Sequence, residues 1–222
     1  MEYLAYAHST KSGVFAGAVN YLRVGDIQEV NNLGVQLNSS YSPNDVIVTA
    51  GYANTIREIP VGISVKYISS SIENEKAQAY AADIGTMYKI ADNKVSLGLV
   101  VQNLGTSVKY INESFSLPMN VKAGASYKLK KEKGQLITAL DINMPIDNEI
   151  YENIGLEYQC FVNESISLSP RLGYKTNNKD LGESAGLTAG IGFGVKDYKI
   201  DYALGVMGDL GQTHNISIGI KF

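Results

Sequence analysis

From Gln212 to Phe222 apolar and polar residues alternate. Ile216, Ile218, Ile220 and Phe222 point one way, and Asn215, Ser217, Gly219 and Lys221 the other. A period of two is the mark of a strand with one greasy and one polar face. The same rhythm recurs upstream. Val121, Ala123, Ala125, Tyr127 and Leu129 oppose Lys122, Gly124, Ser126 and Lys128. Val61, Ile63, Val65 and Tyr67 oppose Gly62, Ser64 and Lys66. Leu187, Ala189, Ile191, Phe193 and Val195 oppose Thr188, Gly190, Gly192 and Gly194. Read end to end, the pattern predicts thirteen strands, over 2–9, 13–24, 44–53, 59–73, 77–90, 94–109, 117–130, 135–146, 150–160, 165–175, 184–195, 198–206 and 212–222, and no helix.

Strands then occupy well over half of the chain, against roughly 20–25% in ordinary soluble domains. Most are near the 9–11 or so residues that a tilted strand needs to cross a bilayer. The connections sort by length. Val195–Tyr198, Phe161–Ser165, Lys130–Gln135, Ala91–Lys94 and Thr10–Gly13 are tight. Between them lie the longer Met207–Gln212, Thr176–Glu183, Tyr110–Ser116 and Gly25–Pro43. Transmembrane barrels alternate short periplasmic turns with longer outer loops in this way, whereas a soluble sandwich has no reason to. The expected fold is all-β: an antiparallel transmembrane β-barrel of the outer-membrane type, one domain over 1–222. Apolar faces would meet lipid and polar faces the lumen. A soluble all-β binding module is the competing fold reading; it requires a water-soluble fold without detergent.

Tyrosines end several apolar faces. Tyr88, Tyr127, Tyr158 and Tyr198 fall near the periplasmic rim, Tyr67 and Tyr174 near the outer rim, and Phe222 closes the chain. An interfacial aromatic girdle has this distribution, because a tyrosine ring is amphipathic. Tyrosine is also simply a good strand former. Thirteen is an odd number of strands, while bacterial single-chain barrels generally have an even one. The expectation is therefore that a signal peptide and at least one more strand precede Met1.

Composition narrows the alternatives. Net charge is −3, so the basic footprint of nucleic-acid binding is missing. Charged residues make up only 18%, and Tyr (15) and Gly (22) are plentiful while Trp is absent, which suits an all-β chain. Cys160 is the only cysteine, which excludes an intrachain disulfide and a cysteine metal cluster. No apolar run approaches the roughly 18 residues of a membrane helix, a fact that leaves a barrel open. His8 and His214 lie at opposite ends and make no zinc-binding spacing. His214 near Asn215 and Ser217 has the residue types of a serine hydrolase but no orienting group or oxyanion hole. Gly190, Gly192 and Gly194 recur inside a strand, where they relieve crowding or let the wall bend, and not at the strand-to-helix turn of a nucleotide site. No cofactor, metal or enzymatic activity is expected.

The candidate chemistry is a set of charges on predicted lumen faces: Lys66, Asp83, Lys122, Asp141, Glu157, Arg171, Asp201 and Lys221. Both signs occur on neighbouring strands. One reading is a lattice of paired charges that stabilises the wall, since charge facing lipid is costly. The other is a solute path whose polarity these residues set. Pro118 and Pro170 fall in strand segments and predict bends or bulges. The Asn-x-Ser triplets at Asn38, Asn112, Asn163 and Asn215 carry no expected role.

Several segments are specific enough to compare with a known family. They are Leu22-Arg23-Val24-Gly25-Asp26-Ile27-Gln28-Glu29, Val61-Gly62-Ile63-Ser64-Val65-Lys66-Tyr67-Ile68-Ser69-Ser70, Asp83-Ile84-Gly85-Thr86-Met87-Tyr88, Val101-Gln102-Asn103-Leu104-Gly105, Leu117-Pro118, Gly155-Leu156-Glu157-Tyr158, Arg171-Leu172-Gly173-Tyr174-Lys175 and Ile200-Asp201-Tyr202-Ala203. In this order they resemble the PorV/PorQ-type outer-membrane proteins and their uncharacterised spirochaete relatives, a family similar to the FadL long-chain fatty acid transporters. The final strand and Phe222 look like the signal read by the barrel assembly machinery. The resemblance implies a barrel of about fourteen strands behind a signal peptide and an Asn-Pro-Ala plug. This chain has no Asn-Pro-Ala, so no plug residue can be carried over. The implied setting is the bacterial outer membrane, with its lipid as the surrounding partner. The implied function is uptake or passage of hydrophobic, fatty-acid-like small molecules. The alternative is an accessory barrel of a type IX-like secretion pathway that binds protein cargo or surface-processing proteins.

Overall fold

The computed structural model describes residues 1–110, 113–182 and 184–222. Asn112 lies outside them, as do parts of the 110–116 and 176–183 connections. The chain clusters into two compact units. The first, Met1–Thr86 with Val100–Asn120, carries β1 (Glu2–Thr10), β2 (Gly13–Arg23), β3 (Ile27–Val30), β4 (Gln36–Tyr41), β5 (Asn44–Ile56), β6 (Ile59–Ile72), most of β7 (Glu75–Ile90), the second half of β8 (Val95–Gly105), β9 (Val108–Tyr110) and β10 (Glu113–Phe115). The second, Met87–Leu99 with Val121–Phe222, carries β11 (Asn120–Lys131), β12 (Gly134–Pro145), β13 (Tyr151–Phe161), β14 (Ile166–Lys175), β15 (Leu187–Val195), β16 (Tyr198–Val206) and β17 (Gln212–Ile220).

Thirteen of these strands make one sheet, in the order β1-β2-β5-β6-β7-β8-β11-β12-β13-β14-β15-β16-β17. These are the thirteen strands expected from the alternation. β3 with β4 and β9 with β10 form two separate hairpins that the alternation did not predict. Both are built from short runs inside longer connections. The β3–β4 hairpin turns at Asn31, whose side-chain oxygen accepts from the backbone N–H of Leu33 and of Val35. At its base Ser42 and Arg23 both donate to Asp26, and they hold that carboxyl below the usual carboxylate range.

Two expectations need correction. Pro118 lies in the connection before β11, where its carbonyl accepts a hydrogen bond from Asn103 Nδ2 at 2.9 Å. Pro118 therefore bends no strand. The alternation of connection lengths has one exception: β6 returns to β7 through Glu73 and Asn74 alone, although this turn falls among the long connections. Glu73 takes a left-handed φ of 53°, as the tight turn demands. Pro170 does sit inside β14. The β13–β14 ladder runs from Asn153↔Lys175 to Glu157↔Arg171 and resumes at Cys160↔Leu168. Proline has no N–H to donate, and the interruption spans its position.

Burial is inverted relative to a soluble protein. Among the described residues the buried hydrophobic side chains are the small ones of Ala77, Ala79, Ala81 and Ala185. Large apolar residues instead stand exposed, for example Leu172 at 63% and Ile154 at 56%. Exposing so many to water would forfeit about 25 cal/mol for every Å² left uncovered. A continuous apolar surface of this kind is suited to hydrocarbon.

Candidate functional site

The site is the charged face of the sheet, and strand register builds it. In the second unit Ile137, Glu157, Arg171, Gly190, Ala203 and Asn215 are successive cross-strand partners and therefore share one face. Arg171 Nε donates to Glu157 Oε2 at 2.5 Å, on the adjacent strand. Its Nη1 donates to Asp201 Oδ1, also at 2.5 Å. Asp201 lies two strands away, beyond β15, so the guanidinium must cross β15. On this face β15 presents Thr188, Gly190, Gly192 and Gly194. A Cβ built on Gly192 would stand 2.5 Å from Asp201 Oδ1 and 3.0 Å from Arg171 Nη2. The glycine leaves the space in which the arginine reaches its second carboxylate. Lys199 Nζ approaches the other Asp201 oxygen at 3.5 Å.

The same device recurs at Lys122, whose Nζ lies 2.9 Å from Asp141 Oδ2. A Cβ at Gly124 would collide with the other oxygen of Asp141. Around these groups the face forms a concavity of about 640 Å³, within the usual span of ligand sites. Ile137, Ala139 and Ala203 line it beside Glu157, Arg171 and Asp201.

The first unit has its own cluster. Lys66 Nζ lies 2.7 Å from Asp83 Oδ2 and donates to Asn103 Oδ1 at 2.9 Å. The Asn103 backbone N–H donates to Asp83 Oδ1 at 2.9 Å, and Ser64 Oγ donates to Asp83 Oδ2 at 3.2 Å. Asn103 holds a φ of +59° within β8. Asparagine tolerates this left-handed conformation better than most residues. Neither Asn103 nor Ser64 was singled out as a site residue by charge; an asparagine in mid-strand just before Leu104 and Gly105 is the signal that could have marked the first. Asn103→Ala keeps a Cβ in the left-handed region and loses both side-chain bonds, so it is expected to lower stability by about 1–3 kcal/mol. Asn103→Gly should recover the backbone share and fall between the two. Urea unfolding in phospholipid vesicles would measure both, and a glycine variant no more stable than the alanine one would remove backbone strain from the account.

Lys66, Asp83, Lys122, Asp141, Glu157, Arg171 and Asp201 thus all find partners of opposite sign, with side chains 17–36% exposed. Lys221 follows the end of β17, and its backbone N–H donates to Asp197 O at 2.8 Å. Of the aromatic residues, Tyr88, Tyr127, Tyr158 and Tyr198 are exposed, and Tyr67 and Tyr174 are half-buried. Tyr67 packs on Tyr80 with ring centroids 5.4 Å apart, a partner not named from the sequence. Phe222 lies beyond β17 and is exposed. His214 Nδ1 meets Tyr202 Oη at 2.8 Å on the apolar face of β17, and Ser217 falls on the opposite face. The two cannot work as a hydrolytic pair. No group of three potential metal ligands occurs among the described residues.

The architecture matches a solved structure, the P. putida toluene transporter TodX. The TM-score is 0.61 at 12% identity, over 99% of this chain and 82% of that one. The chain has the fold of an outer-membrane β-barrel transporter. No protein-family model and no curated protein matches it.

Proposed function

We propose that this chain forms the wall of a bacterial outer-membrane barrel through which hydrophobic small molecules pass. The observation that carries the reading is the inversion of the two faces. The exposed face is apolar and suits lipid, while the half-buried face is charged, internally paired and suits a lumen. On this reading Lys66, Asp83, Lys122, Asp141, Glu157, Arg171 and Asp201 line the interior, and the exposed tyrosines sit at the membrane interfaces. The fold shared with a toluene transporter supports a path for apolar solutes, as does the sequence resemblance to FadL-like proteins. A concavity with both apolar and ionic lining can accept such a solute without binding it irreversibly.

The test uses vesicles whose outer leaflet is lipopolysaccharide, a leaflet that resists apolar solutes. Vesicles carrying the protein should accumulate labelled toluene several-fold faster than empty ones. Equal rates would count against passage.

A further inference from the structure

We infer that the wall of the second unit selects against carboxylates, so that uncharged hydrophobic molecules pass in preference to organic anions such as fatty-acid ions. This rests on the passage reading above and narrows it. A protein holds a carboxylate through an available arginine fork or a lysine ammonium. The charge of the arginine in the concavity is already shared by two carboxylates. Its Nε is held by Glu157 and its Nη1 by Asp201, both at 2.5 Å. The three groups together carry one net negative charge, and two of the three present oxygens to the same space.

An incoming carboxylate would have to displace one of them. The displaced group would be left partly buried without its cation, and the newcomer would lie beside the second carboxylate. The charge of Lys122 is likewise answered, by Asp141 at 2.9 Å. The next cation along β14 is Lys175, four residues and so roughly 13 Å from Arg171, with its ammonium 4.9 Å from the centre of the Tyr151 ring. Lys199 is half-exposed and already leans on Asp201. Between the ionic groups the lining is Ile137, Ala139, Ala203 and glycine with the neutral Asn153, Thr188, Asn215 and Ser217, which offer a solute apolar and dipolar contacts but no positive charge.

Toluene and benzoate isolate the question, because one carries a methyl where the other carries a carboxylate. In the lipopolysaccharide vesicles at neutral pH, the native chain should pass toluene and pass benzoate far more slowly. The double variant Glu157→Gln with Asp201→Asn keeps the shape and releases the Arg171 charge. It should raise the benzoate-to-toluene ratio about tenfold, the worth of one charge-assisted hydrogen bond. Asp201→Asn alone frees only one edge of the guanidinium and should give a smaller rise; it serves if the double variant does not fold. Equal passage of both solutes by the native chain would overturn the inference while leaving passage intact. So would an unchanged ratio in a folded variant. If neither solute passes, the passage reading falls and this one with it.

Discussion

Ile191→Lys is expected to cost about 2–4 kcal/mol of stability in a phospholipid bilayer, the price of a lysine facing lipid near the midplane. Ile191 is the central residue of β15, and it lies on the face opposite Gly190 and Gly192. Its side chain is already exposed, at 46%. In a water-soluble sheet, replacing so exposed an isoleucine with lysine would change stability by about 0.5 kcal/mol or less. The two settings therefore predict different outcomes for one substitution. Depth supplies the control. Leu187 begins β15 and shares the apolar face, so Leu187→Lys near the rim should cost only about 0–1 kcal/mol. Reversible urea unfolding in vesicles measures both. A negligible cost at Ile191 would remove the bilayer from the reading.

Arg171→Ala should be the most damaging single change on the charged face. It strands Glu157 and Asp201 with no shared cation, both about one quarter exposed. Removing one partner from a fully buried ionic group costs roughly 3–5 kcal/mol, and the water that reaches these carboxylates lowers that to about 2–4. Arg171→Lys should restore only part, since a single ammonium cannot present two divergent edges to carboxylates on opposite sides of it. Adding Glu157→Gln and Asp201→Asn to the alanine variant should recover most of the loss, because no uncompensated charge then remains. An alanine variant as stable as the native chain would mean that the three groups do not act together.

The sequence made the strands legible because each is amphipathic at period two and long enough to show several repeats. It made the charged face legible for the same reason: parity alone puts Lys66, Asp83, Lys122, Asp141, Glu157, Arg171 and Asp201 opposite the apolar residues. Pairing was harder to read. Glu157 and Arg171 are direct cross-strand partners, but Asp201 is reached over an intervening strand, and only the missing side chain at Gly192 permits it. Asn103 was hidden because its importance comes from a left-handed backbone in mid-strand, where alternation predicts an extended one. The β3–β4 and β9–β10 hairpins were hidden because runs of 3–6 residues are too short to show a period.

A wall a single layer thick, whose buried apolar residues among those described are four alanines, has consequences for inheritance. Ordinary domains constrain their sequences through a jigsaw core, in which a change at one position obliges changes at its neighbours. Here nearly every side chain meets one surrounding phase or the other, and what selection must preserve is which phase, not which shape. Substitutions should then accumulate freely within each class, with drift checked mainly at positions such as Gly192, Gly124 and Asn103, where atoms do meet closely. A saturation mutagenesis map should show tolerance oscillating with every second residue along β14 and β15, interrupted at those few sites. The same reasoning accounts for two chains keeping one architecture at 12% identity.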